Sequence, residues 1–175
     1  MLKGEDIVVL LKLVDAPAGW TVRSPESQTT IPRSVVQRAI KRLAQAGLYD
    51  EHLRRLRLSQ SEEFLVHGLQ YVFPGRVGGP TRGVPTAWAA APLVGELAPT
   101  DELPSVWPAA KGTHRGLELS PLHPAALEAS VRDPACRERL ALVDALRTGG
   151  PRIKSLAAEL LIPRLAPPQR EHRAA

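Results

Sequence analysis

The sequence predicts a mainly α-helical chain with one small β-hairpin in its N-terminal third, and three observations carry that expectation. Aliphatic residues recur at three- and four-residue spacing in several stretches, the pattern of helices with one buried face. Aromatic residues are only 4% of the 175, so the core must be made of Leu, Val, Ile and Ala, which suits packed helices better than a large sheet. Seventeen Pro and thirteen Gly are too many for an unbroken bundle, but nine of the Pro and seven of the Gly fall within residues 74–124. The length suits one domain, or one domain with an appendage.

The first helix is expected over residues 5–15. Glu5 and Asp6 complement its N-terminus, and Ile7, Leu10, Leu11 and Val14 form a core-facing stripe. It stops at Ala16-Pro17-Ala18-Gly19, and Trp20-Thr21-Val22 reads as a short extended segment. Ser24-Pro25-Glu26 supplies an N-cap, a first-turn proline and an acid for a short helix over about 25–29. A second proline-led start at Pro32 opens a helix to Ala46, ended by Gly47 where a left-handed C-cap favours glycine.

That third helix carries the most information. Val35, Val36, Ala39, Ile40, Leu43 and Ala46 form its apolar stripe. The opposite face holds Arg33, Ser34, Gln37, Arg38, Lys41, Arg42 and Gln45, with four cations and no acid between Pro32 and Ala46. A solvated helix ordinarily mixes signs to gain i,i+4 pairs, so an acid-free face points to phosphates as the negative partners. Arginine and glutamine also carry forked ends that read guanine and adenine edges in the major groove. Gly47-Leu48-Tyr49-Asp50, the turn Glu51-His52-Leu53 and Arg54-Arg55-Leu56-Arg57-Leu58 then predict a β-hairpin bearing three arginines. Helix, short strand, helix, turn, helix and basic hairpin is the order of a winged helix-turn-helix.

The stretch from Thr21-Val22 to Arg57 resembles the winged helix-turn-helix of bacterial transcriptional regulators of the MarR and related types. The likeness is carried by Ile31-Pro32-Arg33-Ser34-Val35-Val36-Gln37-Arg38-Ala39-Ile40-Lys41-Arg42-Leu43-Ala44-Gln45-Ala46-Gly47-Leu48. It covers about a third of the chain. The resemblance implies a double-stranded DNA-binding regulator of transcription, such as a repressor. Residues 32–46 would lie in the major groove and the wing, residues 48–58, on flanking backbone. It places Arg33, Ser34, Gln37 and Arg38 against base edges and phosphates, and Arg54, Arg55 and Arg57 on the wing. Lys41 and Arg42 are expected to contact phosphates, completing the candidate DNA-binding set.

Ser59-Gln60-Ser61-Glu62 reads as a capping box opening a fourth helix, with Phe64, Leu65, Leu69, Val72 and Phe73 as its apolar face. Residues 1–73 are thus expected to form the DNA-binding domain. Residues 74–124 are expected to run extended or in turns, with Leu117-Glu118-Leu119 the best strand. Trp88 and Trp107 are costly to leave in water, so this arm is expected to lie in a groove of its own helices, of a second copy or of another protein. Residues 125–165 predict a helical hairpin for dimerisation or partner docking. Asp133-Pro134 starts a helix with Leu140, Val143 and Leu146 inward; Pro151 opens another with Ile153, Leu156, Ala157, Leu160 and Leu161, until Pro163. Trp88, Trp107, Leu140, Val143, Leu146, Leu156 and Leu160 are the candidate partner-binding residues. Residues 166–175 read as a disordered polar tail.

The net charge of +5 and pI near 9.9 favour a polyanionic partner. The single cysteine, Cys136, excludes an intramolecular disulfide and a cysteine-based zinc cluster. No signal peptide or membrane span is legible, which makes cytoplasm the expected location. Phosphate-cradling glycine motifs, metalloprotease and hydrolase signatures are absent, and His52, His67, His114, His123 and His172 are scattered. The expectation is a non-enzyme with no metal and no cofactor. It is a homodimeric transcriptional regulator, or alternatively an antitoxin-like or adaptor chain that wraps a heterologous protein.

Overall fold

The structure is a computed structural model and describes residues 1–16, 20 and 31–166. Helix α1 (Gly4–Leu13) and helix α2 (Arg33–Gln45) precede a hairpin of β1 (Tyr49–Asp50) and β2 (Arg55–Leu56). Helix α3 runs through Leu58–Glu63, a π-helical stretch Phe64–Gly68 and Leu69–Val72. Strand β3 (Val77–Pro85), a 3-10 turn (Ala87–Ala89), the short α4 (Leu93–Glu96), β4 (Ser105–Pro108) and β5 (His114–Leu119) follow. Helices α5 (Ala125–Arg132), α6 (Pro134–Thr148) and α7 (Pro151–Leu165) complete the fold. The chain is mainly helical with small β elements. The helix expected over 25–29 and the tail from 167 onward lie outside the described residues.

The first helix is enclosed rather than amphipathic. Ile7, Val8, Val9, Leu10 and Leu11 are all fully buried, because α2, β2, α5 and α6 pack around α1. The unbroken apolar run is the mark of a helix with no wet face. Its two buried charges are each answered. The Asp6 carboxylate accepts the Lys3 N–H at 2.8 Å and the Arg42 guanidinium at 2.7 and 2.5 Å. The Lys12 ammonium pairs with Asp133, the N-cap of α6. From α6, the buried Arg139 donates to the Leu11 carbonyl at 2.7 Å and to the Asp15 carboxylate at 2.5 Å. Among the described residues no buried side-chain nitrogen or oxygen lacks a hydrogen-bond partner, as a stable core requires.

Helix ends follow local chemistry with two exceptions, at Ser59 and at Pro163. Gly47 sits at φ +77°, and the Leu48 and Gly47 N–H groups donate to the Leu43 and Ala44 carbonyls, each at 2.9 Å, closing α2 with a Schellman turn. Asp133 caps α6 by accepting the Cys136 N–H at 3.0 Å, with Pro134 in the first turn. The capping box expected at Ser59 does not form: α3 starts two residues earlier, with Arg57 as N-cap. Ser61 instead donates its hydroxyl to the Leu48 carbonyl at 3.3 Å, fastening α3 to the start of the hairpin. Helix α7 passes Pro163, where its sequence suggested a stop, because Leu165 beyond it is buried in the core. Helix α5 has no aliphatic stripe; its buried residues are Ala126, Ala129 and Ser130.

The Pro/Gly-rich segment, expected to run extended or in turns, holds three strands, and its best expected strand, Leu117-Glu118-Leu119, lies within β5. Strand β3 pairs antiparallel with β4 (Val84↔Trp107) and with β5 (Arg82↔Arg115), and β4 pairs parallel with β5 (Val106↔Glu118), closing a three-stranded barrel. So small a barrel needs backbones in contact. A Cβ on Gly83 would lie 2.1 Å from the Trp107 carbonyl oxygen, and one on Gly116 2.1 Å from that of Pro104. Pro85 and Pro108 end their strands, and Pro80 follows a break in the β3–β5 register, so the prolines sit where a missing donor is tolerated.

The barrel is pinned to α6 by one buried carboxylate. Asp144 accepts from Thr86 Oγ1 at 2.8 Å, Trp107 Nε1 at 2.6 Å and the Arg147 guanidinium at 2.6 Å. Burial pushes the Asp144 carboxyl up from its ordinary value, against the pull of Arg147, Thr86 and Trp107. Arg147 also donates to the Phe73 carbonyl at 2.8 Å, so the end of α3 joins the same knot. One cluster of buried side chains then runs from Ile7 to Leu165 and includes Trp107 and Leu119 of the barrel.

Removing one partner of a buried pair leaves a charge without compensation, so Asp144→Ala is expected to lower unfolding free energy by about 3–5 kcal/mol in a denaturant titration. Burial disfavours the Asp133 carboxylate, but the Lys12 ammonium, the Cys136 N–H and the nearby Arg139 charge outweigh it and hold its pKa below the ordinary value. Asp133 therefore stabilises the fold above the unfolded carboxyl pKa of about 4, and that contribution is lost as pH falls through its lower folded value. Asp133→Asn is expected to flatten the fall in stability below about pH 4, read by thermal melts across an acid series. Burial raises the Cys136 thiol to about 12, so a thiol reagent is expected to label it only once the protein unfolds.

Candidate nucleic-acid interface

The segment that prompted the DNA-binding expectation folds as helix α2 followed directly by the β1–β2 hairpin. Val36, Ala39, Ile40 and Leu43 are buried against α1, which fixes the rotation of α2 about its axis. That rotation turns Arg33, Ser34, Gln37, Arg38, Lys41 and Gln45 outward, all exposed. Arg33, Arg38 and Lys41 form no ion pair with any described residue. Among the described residues this face of α2 is therefore cationic, without acids and without ion-pair partners.

Arg42 departs from this set. Its side chain is 17% exposed and turns toward α1, where it pairs with Asp6 at 2.5 Å and Glu5 at 3.1 Å. The Asp6 hydrogen bond raises the guanidinium pKa further. The face seemed acid-free in sequence because the acids that answer Arg42 come from another helix. Arg42 is therefore a clamp between α1 and α2, not a residue poised over phosphate.

The hairpin has a two-residue ladder, Tyr49↔Leu56 and Asp50↔Arg55. Asp50 Oδ1 accepts the His52 and Leu53 N–H groups at 3.1 and 2.9 Å, an Asx turn that shapes the tip. Those N–H groups and the Arg57 charge hold the Asp50 carboxyl below its ordinary value, the Leu53 N–H first. Trp20 anchors the base: its indole donates to the Arg54 carbonyl at 3.1 Å and meets the Tyr49 ring edge-on, with centroids 6.3 Å apart. Arg54 adopts the left-handed region at φ 49°, which is uncommon for a residue with a Cβ. Arg54, Arg55 and Arg57 are all exposed, and Arg57 reaches Asp50 at 3.4 Å. Neither the Asx turn nor the Trp20 anchor was read from the sequence, although an Asp two residues before His52 is the usual signal for the first.

The residues expected to bind a protein partner lie elsewhere. Trp107, Leu140, Val143 and Leu146 are at most 2% exposed and belong to the chain's own core. Their apolar stripes meet α1, α3, α5, α7 and the barrel, so they offer no surface to an outside protein. Trp88, Leu156 and Leu160 are half-buried and pack against the same core. Among the described residues no His, Cys, Asp and Glu group is arranged to hold a metal, and no helix is long and apolar enough to cross a membrane.

Compared with known protein families, characterised proteins and solved structures, the chain matches none.

Two of the three arginines of α2, Arg42 and Arg38, separate by measurement. Arg42→Ala is expected to destabilise the fold by about 2–4 kcal/mol, because Asp6 stays buried without its partner. Arg38→Ala, on the open face, is expected to change stability by less than about 0.5 kcal/mol. Chemical denaturation of both variants checks the contrast.

Proposed function

We propose that this chain is a sequence-specific double-stranded DNA-binding protein that regulates transcription without catalysing a reaction. The observation that supports it best is the open face of α2: Arg33, Arg38 and Lys41 lie exposed beside Ser34 and Gln37, without an ion-pair partner among the described residues, and a basic hairpin follows. In this reading α2 enters the major groove, Gln37 and Arg38 read base edges, and Arg33, Lys41, Arg54, Arg55 and Arg57 hold phosphates. The hairpin acts as a wing on flanking backbone. The protein works as a homodimer in the cytoplasm on an inverted repeat, since two-fold symmetry in the protein is matched by two-fold symmetry in the site.

Selection of bound duplexes from a random pool is expected to enrich one inverted-repeat motif. Enrichment of no motif would overturn the reading. On the selected site, Arg38→Ala is expected to cost about 1–3 kcal/mol of binding and to relax discrimination at the base it reads. Affinity is expected to fall steeply as salt rises, because each phosphate contact releases counterions.

A further inference from the structure

The barrel carries a second concentration of positive charge that the α2 surface does not use. Arg82 on β3 and Arg115 on β5 are directly opposite each other in an antiparallel register, and both are exposed. Like charges at opposed positions of a sheet repel, and neither arginine has an acidic partner among the described residues. The neighbouring register position pairs Gly83 with His114. The turn carrying Lys111 rests on that same spot: the Ala109 N–H donates to the Arg82 carbonyl at 3.1 Å, and a Cβ on Gly112 would lie 2.4 Å from the Gly83 backbone. Lys111, Thr113 and His114 are exposed around it.

The acids of this segment are elsewhere. Residues 64–95 and 103–117 contain no Asp or Glu. Glu118 lies three residues along β5 from Arg115, about 10 Å away, with its side chain against Gly78. Glu96, Asp101 and Glu102 precede β4, whose first residue Ser105 pairs with Leu117 rather than with the arginine rung. The barrel is therefore polarised, with three cations and a histidine at one end.

We infer that Arg82 and Arg115, with Lys111 beside them, form a clamp for the phosphodiester backbone of nucleic acid, separate from the α2 face. Two exposed arginines at opposed positions of one rung offer two forked donors, a chemistry suited to phosphate oxygens, and a duplex supplies phosphates densely enough to occupy both. The repulsion built into the empty rung is relieved when phosphates sit between the forks. No large apolar side chain stands among these residues to enter a lipid surface. The inference rests on the DNA reading of α2 for the identity of the polyanion, but its residues and its test are its own. The clamp reads no bases; it adds affinity equally for all sequences.

The test uses the full chain and a short labelled duplex, with affinity measured between about 50 and 200 mM salt. Arg82→Ala/Arg115→Ala is expected to weaken binding to selected and scrambled duplexes by the same factor. It should also make the slope of log affinity on log salt shallower by about two. Arg82→Glu is the companion variant: it creates a cross-strand ion pair with Arg115, so the melting temperature is expected to hold or rise while duplex affinity falls. Unchanged affinity and slope in the double variant would overturn the clamp. If Arg38→Ala leaves sequence discrimination intact while the double variant weakens duplex binding, the clamp stands and the α2 reading falls. Wild-type protein that binds no duplex at low salt overturns both.

Discussion

The buried Asp144 carboxylate is the point on which the rest of the structure hangs. The barrel of β3, β4 and β5 is too small to enclose a core of its own, and its tightest contacts are backbone against glycine. What orients it on the helices is a set of directional bonds, from Thr86 and Trp107 in the barrel and from Arg147 on α6, all ending on one acid. Burying a charge is costly, and the cost is tolerable only while every partner is in place. That makes the arrangement specific: the Trp107 indole finds its acceptor in this carboxylate.

Similar couplings continue in series toward the N-terminus. Arg139 of α6 holds the Leu11 carbonyl and Asp15, and the N-cap of α6, Asp133, holds Lys12. Asp6 at the other end of α1 holds Arg42 of α2. Barrel, α6, α1 and α2 are thus linked by three successive groups of buried or half-buried charges. The apolar contacts between these helices supply most of the driving force and set the rotation of α2, but Leu, Val and Ala alone allow a helix to slide. The charged links restrain sliding, so the outward face of α2 is held in one place. Charge is also sorted by this scheme: cations with structural work are paired inside, while Arg33, Arg38, Lys41, Arg82 and Arg115 are left outside without acidic partners among the described residues.

Legibility followed the range of the interaction. Helix α2, its Schellman turn at Gly47 and the cap at Asp133 were readable because their causes lie within a few residues. Helix α5 was not, since the residues it buries are Ala126, Ala129 and Ser130, which carry no hydrophobic signal against a background of alanine. The barrel was hidden for a different reason. Pro and Gly ordinarily argue against strands, but at strand ends, at a register break and where chains touch they are what permits closure. The exposure of Ser34, Gln37 and Arg38 could be read from the periodicity of α2, whereas the capture of Arg42 by Asp6, thirty-six residues away, could not.

By itself the sequence determined the helical character of the chain, the boundaries of α2, the following hairpin and the side of α2 that carries cations, because spacing and caps act locally. Only the tertiary structure decided which of those cations remain open. It also decided that Trp107, Leu140, Val143 and Leu146 serve this chain's own core, and that two arginines more than thirty residues apart share one rung of a barrel. The physical reason is the same in each case. Burial and pairing depend on what a side chain meets across the fold, and the sequence near a residue records its shape and charge but not its neighbour.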